Sequence, residues 1–86
     1  MTLYLVDEPH LEIATAYAKI EKGARMVLLQ DAVYSALTGK VPGEAYALEN
    51  DVARRGLGGR VPKSLRVIGY SELVQMMEKE RVVNFL

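Results

Sequence analysis

The sequence predicts an α/β fold, a small parallel-sheet three-layer sandwich of four to five strands with flanking helices. Two observations carry that expectation. Short apolar runs alternate with capped, amphipathic segments in the order β-α-β-α-β-α-β-α, and one more apolar stretch follows. Strands separated by helices imply a parallel sheet with right-handed crossovers. The second observation is the apolar run Met26-Val-Leu-Leu29, which stops abruptly at the amide of Gln30 and the carboxylate of Asp31. A fully buried parallel strand has this form where it surfaces at its carboxyl end.

The elements follow in order. Leu3, Tyr4, Leu5 and Val6 make a first strand that ends at Asp7-Glu8-Pro9. Acids followed by proline suit a helix N-terminus. Ile13, Tyr17 and Ile20 recur at helical spacing, with Glu12, Thr15, Lys19 and Lys22 on the expected wet face and Gly23 as a C-terminal cap. The second strand is Met26 to Leu29, after which Asp31 is placed to cap a short helix carrying Val33, Ala36 and Leu37. Gly39-Lys-Val-Pro-Gly43 is a turn cluster. Ala45 to Leu48 reads as a third strand. Asn50 or Asp51 can cap a very short third helix that stops at Gly56, with Leu57 folding back as the apolar contact behind the glycine. Gly58 and Gly59 suggest a loose loop. Leu65 to Ile68 is a fourth strand, and Ser71 is placed to cap a last helix with Leu73, Met76 and Met77 inward. The tail Val82, Val83, Phe85, Leu86 either adds an edge strand or docks on a partner.

Length and composition bound the function. The 86 residues make a single domain, 1–86. A chain of this size buries only about 60% of the surface its unfolded form exposes. Association with another subunit, a homodimer included, is therefore a natural source of extra stability. Formal net charge is zero, so nothing pulls the whole molecule toward nucleic acid or an anionic membrane. No basic-then-apolar leader and no apolar run of membrane length is present, and the expected location is the cytoplasm. There is no cysteine, which removes thiol nucleophiles, thiolate metal sites and disulfides together.

Sites in open α/β sheets lie outside the carboxyl ends of the strands, so Gln30 and Asp31 mark where to look. Asp7 and Asp31 both sit at strand ends. They could hold Mg²⁺ between them, or each could simply cap the helix that follows. His10, the sole histidine, has no nucleophile near it in sequence. Gly56-Leu-Gly-Gly59 matches neither phosphate-loop pattern. No cofactor or metal is expected. The stretch from Val52 to Ser71 holds Arg54, Arg55, Arg60, Lys63 and Arg66 and no acid. It could face an acidic surface, a phosphate or RNA, or be a solvated loop. No aromatic residue is interleaved with these bases, which argues against stacking of single-stranded RNA. The tyrosines at 4, 34, 46 and 70 lie in or beside core elements and suit either half-buried core or a subunit interface.

Three segments in this order resemble one family. Val27-Leu-Leu-Gln-Asp-Ala-Val33 is similar to the "LLLQDGV" signature of the DsrH/TusB sulfur-relay proteins, with Ala32 in place of its glycine. Ala45-Tyr-Ala-Leu-Glu-Asn-Asp-Val-Ala-Arg-Arg-Gly-Leu57 resembles that family's "VYALxxDxxARGL" segment. Val67-Ile-Gly-Tyr-Ser-Glu-Leu-Val74 is similar to its "I-x-Y-x-x-F-V" start of the last helix. The resemblance spans nearly the whole chain. It implies the DsrEFH-like fold and a place in a persulfide relay, beside DsrE/TusD-like and DsrF/TusC-like subunits. Such a relay passes sulfur toward 2-thiolation of the wobble uridine of tRNA or serves sulfur oxidation. Some members carry a cysteine in the first helix, at a position that falls at about Ala16. Alanine cannot accept sulfane sulfur, because that step needs a thiolate.

The expectation is therefore a non-catalytic subunit of a relay complex that meets tRNA only indirectly. The alternative is a homo-oligomeric anion- or tRNA-binding module using the basic Arg54–Arg66 segment. The residues singled out for partner or anion binding are Gln30, Asp31, Asp51, Arg54, Arg55 and Arg60. Asp31 and Asp51 are expected to cap helices and to pair with Arg54 across the top of the sheet.

Overall fold

The computed structural model describes residues 2–21, 23–38, 44–57, 59–60 and 65–86. The Gly39–Gly43 turn cluster, Lys22, Gly58 and Lys63 lie outside them. Five strands form one parallel sheet: β1 (Thr2–Val6), β2 (Arg25–Leu28), β3 (Glu44–Leu48), β4 (Arg66–Ile68) and β5 (Arg81–Phe85), in the order β4-β3-β2-β1-β5. The helices are α1 (Leu11–Ile20), α2 (Glu49–Arg54) and α3 (Tyr70–Lys79), with 3₁₀ turns at Glu8–His10 and Gln30–Thr38. The apolar tail is the edge strand β5, paired with β1 from Thr2↔Arg81 to Val6↔Phe85. The Phe85 and Tyr4 rings meet edge to face at 5.2 Å between centroids, and the Tyr17 ring lies 5.9 Å from that of Phe85. No helix among the described residues is long and apolar enough to cross a membrane.

Strand alternation divides the core into two layers. Tyr4, Val6, Met26, Leu28 and Ala47 point to one face, where Ala14 of α1, Ala32, Val33, Val52 and Leu57 cover them. Leu3, Leu5, Val27, Tyr46, Leu48 and Ile68 point to the other, against Leu73 and Met76 of α3. Crossover handedness explains the division. The chain steps from β1 to β4 in one direction, and connections of one hand then lie on one face. Only the return from β4 past β1 to β5 runs the other way, so its helix, α3, lies on the opposite face.

Four local expectations shift. The helix after β2 is 3₁₀ rather than α, and Asp31 lies within its first turn. Helix α2 begins at Glu49, so Asp51 sits inside the first turn and not at its cap. Gly69, not Ser71, occupies the cap of α3, with no side-chain bond. The apolar stripe of α1 faces outward: Ile13, Tyr17 and Ile20 are exposed, while Ala14 is the buried residue. Small alanines there let the helix lie close to the sheet, which leaves the larger side chains on the outside. Met77 is likewise exposed beside buried Met76. The glycine stop of α2 forms as expected. Gly56 has φ +63, its N–H bonds to the Ala53 carbonyl at 3.1 Å, and the N–H of Leu57 bonds to the Val52 carbonyl at 3.1 Å. Leu57 is buried behind this turn, as a paired glycine cap requires.

The lower ends of the strands are tied by polar side chains. The Tyr4 hydroxyl donates to Glu21 Oε1 at 2.6 Å. Burial first, and that bond to Glu21 second, push the Tyr4 phenol up from 10.0 to about 12. A raised native value means stability that is full below pH 10.0 and lost as pH rises toward about 12. Unfolding free energy should fall across that window in the parent protein. The decline should flatten in Tyr4→Phe, as denaturant titrations at a series of pH values would reveal.

Candidate functional site

The connections after β3 and β4 leave the sheet on opposite faces, α2 to one and α3 to the other. Adjacent strands that part in this way open a crevice at their carboxyl ends, the topological switch point where α/β sheets place their sites. A cavity of about 660 Å³ occupies this position. Leu29 and Leu48 form its floor, and Gln30, Asp31, Asp51, Arg54 and Arg55 supply its polar wall. Leu73 adds to the apolar lining, and Tyr34 and Tyr70, 47% and 60% exposed, complete it.

The polar wall is a connected chain of bonds. Gln30 turns the strand end with φ +51, the only described non-glycine residue at positive φ. Its backbone N–H then donates to Asp51 Oδ2 at 2.9 Å. The other carboxylate oxygen of Asp51 lies 3.6 Å from Arg55 Nη1. That nitrogen also donates to the Asp51 carbonyl at 3.2 Å. Arg55 reaches on to Asp31 Oδ1 through Nε at 3.1 Å and Nη2 at 3.0 Å. Asp51 is only 7% exposed, so its two partners carry structural weight. The Asp31 side chain is 64% exposed, and its pairing with Arg55 contributes little to stability.

The two aspartates are thus joined across the top of the sheet, but by Arg55 and not by Arg54. Arg55 lies one helical turn beyond Asp51, where an i,i+4 pair meets on one face. Arg54 lines the cavity and is exposed, with no ion pair among the described residues. Arg60 is exposed and stands outside the lining. Arg66 pairs with Glu72 at 3.2 Å. Among the described residues of the basic segment, Arg55 and Arg66 therefore have carboxylate partners, while Arg54 and Arg60 have none.

Asp7 takes the capping role that the sequence allowed it. Its carboxylate accepts from the Glu8 amide at 2.7 Å and caps the first 3₁₀ turn. No group of three metal-ligating side chains gathers among the described residues. His10 is half-buried, and its Nδ1 is enclosed without a hydrogen-bond partner among them. Sequence reading gave Tyr34 and Tyr70 no part in the site. The strand-end rule places Tyr70 there, directly after β4. Tyr34 could be found only through the turn at Gln30, which starts a 3₁₀ helix and sets the residue's direction.

Because an L-residue at positive φ is strained by about 1–2 kcal/mol and glycine is not, Gln30→Gly should raise unfolding free energy by up to about 1 kcal/mol. Gln30→Val should lower it. Chemical denaturation of the pair reads the sign directly.

Comparison with known proteins adds findings of three kinds. A family model described as DsrH like protein matches residues 9–83. The chain is similar to Protein TusB of Pectobacterium carotovorum, at 38% identity over 78% of this chain and 79% of that protein. It is also similar to Protein TusB of Pectobacterium atrosepticum, at 36% identity over 78% of this chain and 79% of that one. Among solved structures, the ychN protein of E. coli superposes with a TM-score of 0.72 at 19% identity, covering 98% of this chain and 97% of that one. That likeness is one of fold.

Proposed function

The chain belongs to the DsrH-like family, and from that membership we propose that it is a non-catalytic subunit of a sulfur-relay complex in the cytoplasm. The single observation that carries this reading is a family match over residues 9–83 in a chain that contains no cysteine. Sulfane sulfur rides on a thiolate, so the sulfur must be held by partner subunits, mainly the one of the DsrE/TusD kind. The role left for this chain is to position the thiol-bearing partner or to shape the place where a sulfur carrier docks. The relay's sulfur goes to 2-thiolation of the tRNA wobble uridine or serves sulfur oxidation, and the chain meets tRNA only through its partners.

The chemistry of the strand-end crevice supports the reading. Arg54, Tyr34 and Tyr70 stand open around an apolar floor, and arginine and tyrosine are enriched where proteins meet. The polar chain behind them fixes the backbone at Gln30.

A sulfur-transfer assay tests this. Partner subunits are loaded with sulfane sulfur by a cysteine desulfurase, and transfer to a carrier thiol is followed by mass with and without this chain. Transfer should quicken by about tenfold when the chain is present, and the added sulfur should reside on partner cysteines. Equal rates in both mixtures would remove the role.

A further inference from the structure

The strand-end crevice gathers groups that the linear sequence keeps apart. No aromatic residue stands between the bases from Arg54 to Arg66, yet the fold brings Tyr34 and Tyr70 to the cavity that Arg54 lines. The two tyrosines come from opposite faces of the sheet. Ala32 and Val33, in the 3₁₀ helix Gln30–Thr38, cover one face, and Leu73 of α3 covers the other. Tyr34 therefore belongs to one wall and Tyr70, the first residue of α3, to the other, and both are exposed. Asp31 and Tyr34 are three residues apart in a 3₁₀ helix, where such residues lie one above the other on one side. Asp31 gives Oδ1 to Arg55, and its Oδ2 accepts no hydrogen bond among the described residues.

Each feature suits one part of a nucleotide. Tyrosine rings stack on a base whatever its identity. A carboxylate oxygen without a partner accepts from a ribose hydroxyl. An arginine without a counter-charge takes a phosphate. The position is the switch point at which open α/β sheets hold such ligands, and a volume of about 660 Å³ lies within the roughly 300–1,000 Å³ of small-molecule sites. The charges also limit the ligand. Arg55 serves both aspartates, which leaves Arg54 as the one described cation of the lining without a carboxylate partner. One arginine beside two acids matches one phosphate and not a chain of them.

We propose that the crevice binds a single ribonucleoside monophosphate, with the base between Tyr34 and Tyr70, a ribose hydroxyl on Asp31 Oδ2 and the phosphate on Arg54. A free mononucleotide and the 5′-phosphorylated end of an RNA strand share this chemistry. The inference goes beyond the sulfur-relay reading and does not rest on it, since the site is complete in the chain without any relay partner.

Calorimetric titration of the full chain with adenosine 5′-monophosphate tests it. Saturable binding below about 1 mM is expected. Arg54→Ala should weaken the monophosphate at least about tenfold and abolish its advantage over adenosine. Tyr34→Ala and Tyr70→Ala should each weaken nucleotide and nucleoside alike, by about fivefold or more. The 2′,3′-dideoxy monophosphate should bind about fivefold more weakly than the parent ligand. Arg60→Ala, outside the lining, should leave the affinity unchanged, and circular dichroism checks that every variant keeps its fold. A 5′-phosphorylated RNA oligomer that binds more tightly than the monophosphate assigns the site to an RNA end, and one that binds no more tightly assigns it to the free nucleotide. No saturation by about 1 mM overturns the proposal. So does an affinity indifferent to Arg54→Ala, an equal loss in Arg60→Ala, or a triphosphate that binds more tightly than the monophosphate.

Discussion

Asp51→Ala lowers the unfolding free energy by about 3 kcal/mol, whereas Asp51→Asn costs only about 1. The difference follows from what the carboxylate touches. One oxygen accepts the backbone N–H of Gln30 at 2.9 Å, and the other faces Arg55. Alanine removes both partners at a position only 7% exposed. It also leaves the left-handed turn at Gln30 without the bond that holds it. Asparagine keeps an oxygen for the N–H and gives up only the charge beside Arg55. The same substitutions should loosen the crevice, so Asp51→Ala should weaken partner binding where Asp51→Asn largely preserves it. Urea unfolding of the two variants, read beside partner affinity, checks both statements. Equal costs for the two would mean that the bond to Gln30 carries no weight.

Glu80→Ala has an effect of similar size at the opposite end of the sheet, about 3 kcal/mol. Arg25, at the start of β2, donates from Nε to Glu80 Oε1 at 3.0 Å and from Nη2 to Oε2. Its Nη1 donates to the Tyr46 hydroxyl at 3.0 Å, and the guanidinium lies 5.5 Å from the centre of that ring. The Glu80 side chain is 5% exposed and that of Arg25 is 22% exposed. The bond to Glu80, more than any other contact, raises the Arg25 guanidinium above its ordinary value. The pair fastens the end of α3 to β2 just before the chain enters β5. Without Glu80, a half-buried cation loses its counter-charge. Replacing both partners by apolar residues, Arg25→Met with Glu80→Leu, should recover most of the loss, because the charges are then removed together. Thermal melts of the three variants decide it. A double variant as unstable as Glu80→Ala would show that the pair adds net stability and is not merely costly to break.

The extent to which the sequence disclosed this molecule depends on the kind of signal. Parallel strands are legible because they are buried on both faces and read as unbroken apolar runs. Val27-Leu-Leu29 and Ala45 to Leu48 are of this kind. The glycine stop at Gly56 with Leu57 behind it is legible because only glycine relieves a left-handed turn. The orientation of α1 was not legible. Ile13, Tyr17 and Ile20 repeat at the spacing of a core stripe, yet Ala14 packs inward. Periodicity finds an apolar face without telling whether the sheet or another molecule covers it. The identity of the arginine at the crevice was not legible either. Arg54 and Arg55 differ by one residue, and the choice rests on where α2 ends and its last turn closes. Gln30 gave no hint of its positive φ, since nothing in its side chain favours that conformation. The turn is imposed by the tertiary bond from Asp51, 21 residues away.

We propose that this chain works as a member of a mixed assembly and not as an enzyme alone. Native mass spectrometry of the chain co-expressed with DsrE/TusD-like and DsrF/TusC-like proteins tests it most directly. A stable particle containing all three kinds of subunit is expected, with this chain retained through purification. The chain eluting without either partner, while those two assemble with each other normally, would contradict it.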